Sequence, residues 1–86
     1  MKQDKPVILI IEDEGALLDS YTEIIQDGGY SVMKAADGYK GLDIIAENKD
    51  VIGLILLALM MPGIDGLEVM KCIREDKGKY GEAPIV

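Results

Sequence analysis

Two spacings of apolar residues alternate along the chain. Val7–Ile11 is an unbroken run of branched aliphatics, the pattern of a strand buried on both faces. Glu12, Asp13 and Glu14 end it abruptly. Residues 15–27 then take helical spacing, which predicts Leu17, Tyr21, Ile24 and Ile25 on the buried side, with Gly28-Gly29 as the stop. Residues 30–35 read as a second strand, and Asp37-Gly38 as a turn and helix start. Leu42, Ile45 and Ala46 mark a second helix ending near Asn48, and residues 52–58 a third buried strand. Past the Pro62-Gly63 turn, Asp65 and Glu68 have the spacing of a capping box. Leu67, Met70 and Ile73 are predicted to form the buried stripe of the helix that follows. Residues 76–83 are polar and glycine-rich, as in a loop, and Pro84-Ile85-Val86 reads as the start of a fourth strand.

Strands alternating with helices every dozen residues predict an α/β fold of parallel βαβ units with right-handed crossovers. Functional groups in such sheets sit beyond the carboxyl ends of the strands. Here Glu12, Asp13 and Glu14 follow strand one, and Ala58 follows strand three. If those strands are neighbours, both features face one crevice. A strand end above a loop commonly carries a reactive side chain, but position 58 holds a methyl group.

Composition narrows the chemistry. The 86 residues make one domain at most, spanning 1–86, and a fold of this size buries only about 60–65% of its unfolded surface. No histidine is present, which removes Ser-His and Cys-His catalysis, most zinc sites and any phosphohistidine on this chain. Cys72 is the one cysteine, so no intrachain disulfide can form, and a structural thiol is the plainer reading. Nine basic against sixteen acidic residues give a net charge of −7, which disfavours nucleic-acid binding through this domain. No apolar run approaches the ~20 residues of a membrane span. Lys2 and Lys5 precede an apolar run too short, and too soon followed by acids, for a signal peptide, so a cytoplasmic location is expected.

Carboxylates clustered at a strand end repel one another, and a hard cation such as Mg²⁺ relieves that repulsion. Solvated loop acids, or acids favouring a helix N-terminus, remain the alternative. Met60 and Met61 read as loop packing rather than a soft-metal site, and Tyr39 and Tyr80 as partly buried residues.

The segments VILIIEDE, YSVMKAADG, GLILLALMMPGIDGLEVMKCIRE and APIV together resemble the receiver domain of two-component response regulators. The resemblance runs roughly from Val7 to Val86. It implies a CheY-like, flavodoxin-like doubly wound sheet of order 2-1-3-4(-5). It also implies a phosphorelay role rather than an enzyme's, in which a histidine kinase, a phosphotransfer protein or a small phosphodonor passes a phosphoryl group to an aspartate at the end of strand three. Mg²⁺ is the implied cofactor. Asp13 would contact it directly, Glu12 through water, and Met60 through its backbone carbonyl, while Pro62 and Gly63 match the loop turn.

Position 58 matches the phosphoacceptor, and there the chain departs from the family. An alanine leaves a non-phosphorylatable Asp-to-Ala variant, with weak or absent Mg²⁺ binding. The implied switch hydroxyl, the implied lysine, strand five and the last two helices would lie beyond Val86, leaving a truncated receiver with an apolar sheet face bare. Self-association through residues 52–57 or 84–86 is expected from this. Three functions compete. One is a receiver disabled at position 58. Another is a natural pseudo-receiver acting as a phosphorylation-independent interaction module. The third, an aspartyl-intermediate phosphatase, loses its nucleophile to the same alanine. An Asp codon at position 58 in the encoding gene would separate the first two.

Overall fold

The computed structural model describes residues 6–86; Lys2 and Lys5 lie outside them. Elements follow in the order β1 (Val7–Ile11), α1 (Gly15–Asp27), β2 (Ser31–Ala35), α2 (Gly38–Asn48), β3 (Ile52–Leu57), α3 (Gly66–Glu75) and α4 (Lys77–Tyr80). The sheet is parallel, in the order β2-β1-β3. β1 sits in the centre and pairs Ile11 with Ala35 on one side and with Leu57 on the other. The β1–β3 register slips between Val7 and Ile8, leaving Gly53 without a partner on β1.

The predicted fourth strand is seen as a bridge. Ile85 pairs in parallel with Ile55. The Ile55 and Leu57 amides donate to the Pro84 and Val86 carbonyls at 2.9 and 3.0 Å, and the Val86 amide donates to the Ile55 carbonyl at 2.8 Å. The strand order therefore extends as 2-1-3-4, the flavodoxin-like, CheY-like winding that the resemblance implied.

Alternation along the strands divides the core between two faces. Leu9, Ile11, Ile52 and Ile55 turn towards α2 and α3, where Leu42, Ile45, Met61, Ile64, Val69 and Ile73 complete a large buried cluster. Ile8 and Ile10 turn towards α1, where Leu18 alone is fully inside and Ile25, Val32, Leu54 and Leu56 are partly covered.

Both helix stripes differ from expectation. In α1 the buried positions are Leu18 and Thr22, while Leu17 and Tyr21 sit at the edge of the covered side and Ile24 faces outwards at 68% exposure. Thr22 is tolerated inside because its hydroxyl donates to the Leu18 carbonyl at 2.7 Å, which satisfies its polar atom within the helix. In α3 the inward residues are Gly66, Val69 and Ile73, and Leu67 is 60% exposed. The expected capping box is present. The Glu68 amide donates to Asp65 at 2.9 Å and the Asp65 amide to Glu68 at 3.2 Å, an arrangement contributing about 1 kcal/mol.

Residues 76–83 are not wholly loop. Asp76 caps a single turn, α4, by accepting from the Lys79 amide at 3.1 Å, and Gly81 ends the turn at φ 77°. The Asp76 cap starts one turn despite Gly78, and a tertiary contact supports it, because Lys49, the residue just after α2, donates to the Gly78 carbonyl.

Candidate functional site

β1 and β3 are neighbours, so the two features beyond their carboxyl ends meet. The Ala58 amide donates to the Ile11 carbonyl at 3.0 Å, and the Glu12 amide to the Ala35 carbonyl at 3.0 Å. These bonds carry the ladder one residue past each strand. They bring position 58 beside the β1 end from which Glu12 and Asp13 emerge.

Glu12 is half-buried and Asp13 is exposed. The Glu12 carboxylate accepts from the Glu14 amide at 3.1 Å. Glu14 is the residue before α1, and its own side chain makes no cap there. Glu12 thus serves one of the free amides at the start of α1, which is the structural role weighed for these acids above.

The loop after β3 is shaped by two glycines. Gly63 has φ +80°, a left-handed conformation that follows Pro62 and that side-chain-bearing residues adopt at a cost. Gly66 opens α3 against the strand end. Its amide donates to the Leu59 carbonyl at 2.8 Å, and a Cβ there would stand 2.2 Å from the Ala58 carbonyl oxygen. Only a residue without Cβ lets α3 begin this close to position 58.

Of the loop's side chains, Met61 packs into the core while Met60 is 88% exposed. The expectation that both methionines pack the loop holds for Met61 alone. Pro62 and Gly63 are also exposed, at the rim of the crevice. A cleft of about 260 Å³ opens beside Ala58, between α1 and the sheet. It is lined by Ile10, Ile11, Glu12, Tyr21, Leu56, Leu57 and Ala58.

Tyr21 and Gly66 are the two site neighbours that sequence reasoning did not single out. Tyr21 read as a core residue of α1. The Asp65-Gly66 pair carried a signal for Gly66, because a glycine directly after a helix cap is unusual and marks a close approach.

A divalent cation would find a reduced donor set here. Mg²⁺ requires near-ideal octahedral geometry and takes one or two carboxylates besides waters and phosphate oxygens. Glu12 already accepts a backbone hydrogen bond, Asp13 stands alone in solvent, and Ala58 supplies no oxygen from its side chain. Among the described residues no three His, Cys, Asp or Glu side chains are grouped so as to hold a metal. The residues present do not fit the ion as a complete site.

A central β1 flanked by β2 and β3, with an acid pair at its carboxyl end, defines the class: a doubly wound α/β domain that gathers its chemistry at the β1–β3 crevice. The chain belongs to the response regulator receiver domain family, whose profile matches residues 8–86. The response regulator MprA of Mycobacterium sp. (strain KMS) is 40% identical over 67 residues, covering 78% of this chain. This chain spans only 28% of the length of that relative. The receiver domain of the hybrid histidine kinase CckA is 37% identical with a TM-score of 0.80, covering 92% of this chain and 70% of that one. The chemotaxis protein CheY4 of Vibrio cholerae is 27% identical with a TM-score of 0.85, covering 95% and 66%. Among the described residues no helix is long and apolar enough to cross a membrane.

Proposed function

We propose that this chain is a phosphorelay receiver in which position 58 is the phosphoacceptor position and alanine disables it. The observation that carries the reading is the placement of Ala58 at the end of β3, hydrogen-bonded to β1 one residue before Glu12. A histidine kinase or phosphotransfer protein is the partner class that follows from the family. The readings of Glu12 and Asp13 as remnants of a Mg²⁺ site, of the Met60 carbonyl as a third donor, and of Pro62 and Gly63 as the loop turn belong to the same proposal. So does the assignment of residues 1–86 to an incomplete receiver domain that signals and is not an enzyme. The engagement of Glu12 with the Glu14 amide favours weak binding.

Titration with Mg²⁺, followed by NMR, tests the site. Amide shifts around Glu12, Asp13 and Met60 are expected to saturate only in the millimolar range or beyond. Ala58→Asp restores a carboxylate beside β1 and should tighten Mg²⁺ at least about tenfold, since one added unit charge at ~4 Å is worth several times RT even at an effective dielectric of 20. Unchanged affinity in that variant would remove position 58 from the metal corner, and the receiver reading of this site with it.

A phosphorylation-independent interaction role is the second reading. It is favoured by an intact loop around an inert position 58.

The uneven cover of the sheet supports a further property of the 86-residue chain, self-association. Leu17, Tyr21 and Ile24 of α1 are exposed, and Leu54 and Leu56 are only partly covered on the sheet face that α1 shares, so apolar surface remains on that side. A second copy is the occupant that dilute solution supplies. Sedimentation at tens of micromolar should show dimer or larger species, reduced by Ile24→Lys. A monomer of 9.4 kDa with a melting transition independent of concentration would dispose of it.

A further inference from the structure

The loop after β3 places two thioethers side by side in opposite surroundings. Met61 is 8% exposed and packs with Ile64 and Val69 in the larger core cluster. Met60, one residue earlier, is 88% exposed, more than any other large apolar residue among the described ones. With Leu59, Met61, Pro62 and Asp65 it borders an open cleft of about 400 Å³, to which Met61 offers little surface. Met33 and Met70 are each partly covered, Met33 by the larger cluster.

We propose that Met60 is a modification site: of the four methionines among the described residues, the thioether that a peroxide oxidant reaches first on the folded chain. The sulfur lone pair attacks one peroxide oxygen and the O–O bond breaks. Sulfur gains that oxygen and is oxidised by two electrons to the sulfoxide, while the other oxygen takes the remaining proton and leaves as water. No general acid from the protein is needed, which suits a side chain in open solvent. Met61 is less accessible because only 8% of the residue is exposed, so little of it meets an oxidant in the cleft.

The two positions also differ in consequence. A sulfoxide at Met61 would bury a strong acceptor against Ile64 and Val69 and disrupt packing. At Met60 it replaces the most exposed apolar group of the loop with a polar one and leaves the core intact. The fold tolerates that change, and the surface of the loop after β3 becomes more polar.

Treatment of the folded chain with dilute hydrogen peroxide, followed by peptide mapping, tests this. Met60 should gain oxygen at least about tenfold faster than Met33, Met61 and Met70, and the singly oxidised chain should keep its far-ultraviolet spectrum. In urea above the unfolding transition the four rates should converge. In Met60→Leu the peptides holding Met33, Met61 and Met70 should show no fast oxygen uptake in the folded chain; Met1 lies outside the described residues and is followed on its own peptide. Oxidation of Met61, Met33 or Met70 as fast as Met60 in the folded chain would overturn the assignment. So would loss of structure on oxidation at Met60 alone.

Discussion

Incubated with Mg²⁺ and acetyl phosphate, this chain is expected to acquire no phosphoryl group. Attack on phosphorus requires an oxygen lone pair, and the residue at the end of β3 is Ala58, whose methyl has none. Glu12 and Asp13 are the nearest candidates to replace it. Glu12 spends one oxygen on the Glu14 amide, and Asp13 is exposed to solvent, where a carboxylate is a poor nucleophile. Intact-mass measurement before and after incubation should therefore coincide. A hydroxylamine-sensitive adduct mapped to Glu12 or Asp13 would mean that an acid of the pair has taken over as acceptor, and the disabled reading would fall. Ala58→Asp alone should label slowly at best. Charge developing on the transferred group needs a cationic or hydroxyl partner. Three of the lysines have partners away from the crevice: Lys49 donates to the Gly78 carbonyl, Lys77 lies 3.9 Å from Glu82, and the Lys79 ammonium lies 5.3 Å from the centre of the Tyr80 ring.

Gly66→Ala should be the most damaging single methyl added to this chain near the site. The new Cβ would stand 2.2 Å from the Ala58 oxygen, 2.8 Å from the Leu59 Cα and 3.0 Å from the Ala58 carbon. All three are backbone atoms, so no rotamer change relieves the contact. α3 would have to move off the end of β3, stretching the bond from the Gly66 amide to the Leu59 carbonyl and disturbing the Asp65–Glu68 box beside it. A cost of about 3 kcal/mol is expected, at the upper end of overpacking, lowering the melting temperature by roughly 12 °C or more. Gly15→Ala is the matched control. No atom lies within 4 Å of a Cβ at the start of α1, and alanine has the better helix propensity, so that variant should melt at or slightly above the parent. Equal melting temperatures for the two variants would mean that α3 can shift freely, and the close approach would have no structural weight.

What could be read from the sequence, and what could not, follows from where each signal lies. β1 and the start of β3 were legible because unbroken branched aliphatics have few alternatives to a doubly buried strand. The acid pair and the Asp65–Glu68 box were legible because their spacing is itself the chemistry. The buried side of α1 was not. Residues 16–18, 21, 24 and 25 offer two overlapping apolar stripes, and periodicity alone cannot choose between them. The sheet chose the stripe through Leu18 and Ile25, admitting a threonine whose polar atom is satisfied within the helix. Leu67 misled for the same reason in α3, where Val69, adjacent to Glu68 and easily passed over, takes the inner position. At the site, the pattern located position 58. That Glu12 would turn back to an amide two residues on is a matter of side-chain torsion, which no spacing encodes.

The inequality of the two sheet faces also bears on how the molecule comes apart. Among the described residues, eleven buried ones join the sheet to α2, α3 and the loop after β3, whereas three make the cluster on the α1 face. Cooperative units open in order of the contacts that retain them. The first excursion from the native state is therefore the lifting of α1, and it needs no loss of the remaining fold. Such an excursion would uncover Ile8, Ile10, Leu54 and Leu56 while the larger cluster on the opposite face stays closed.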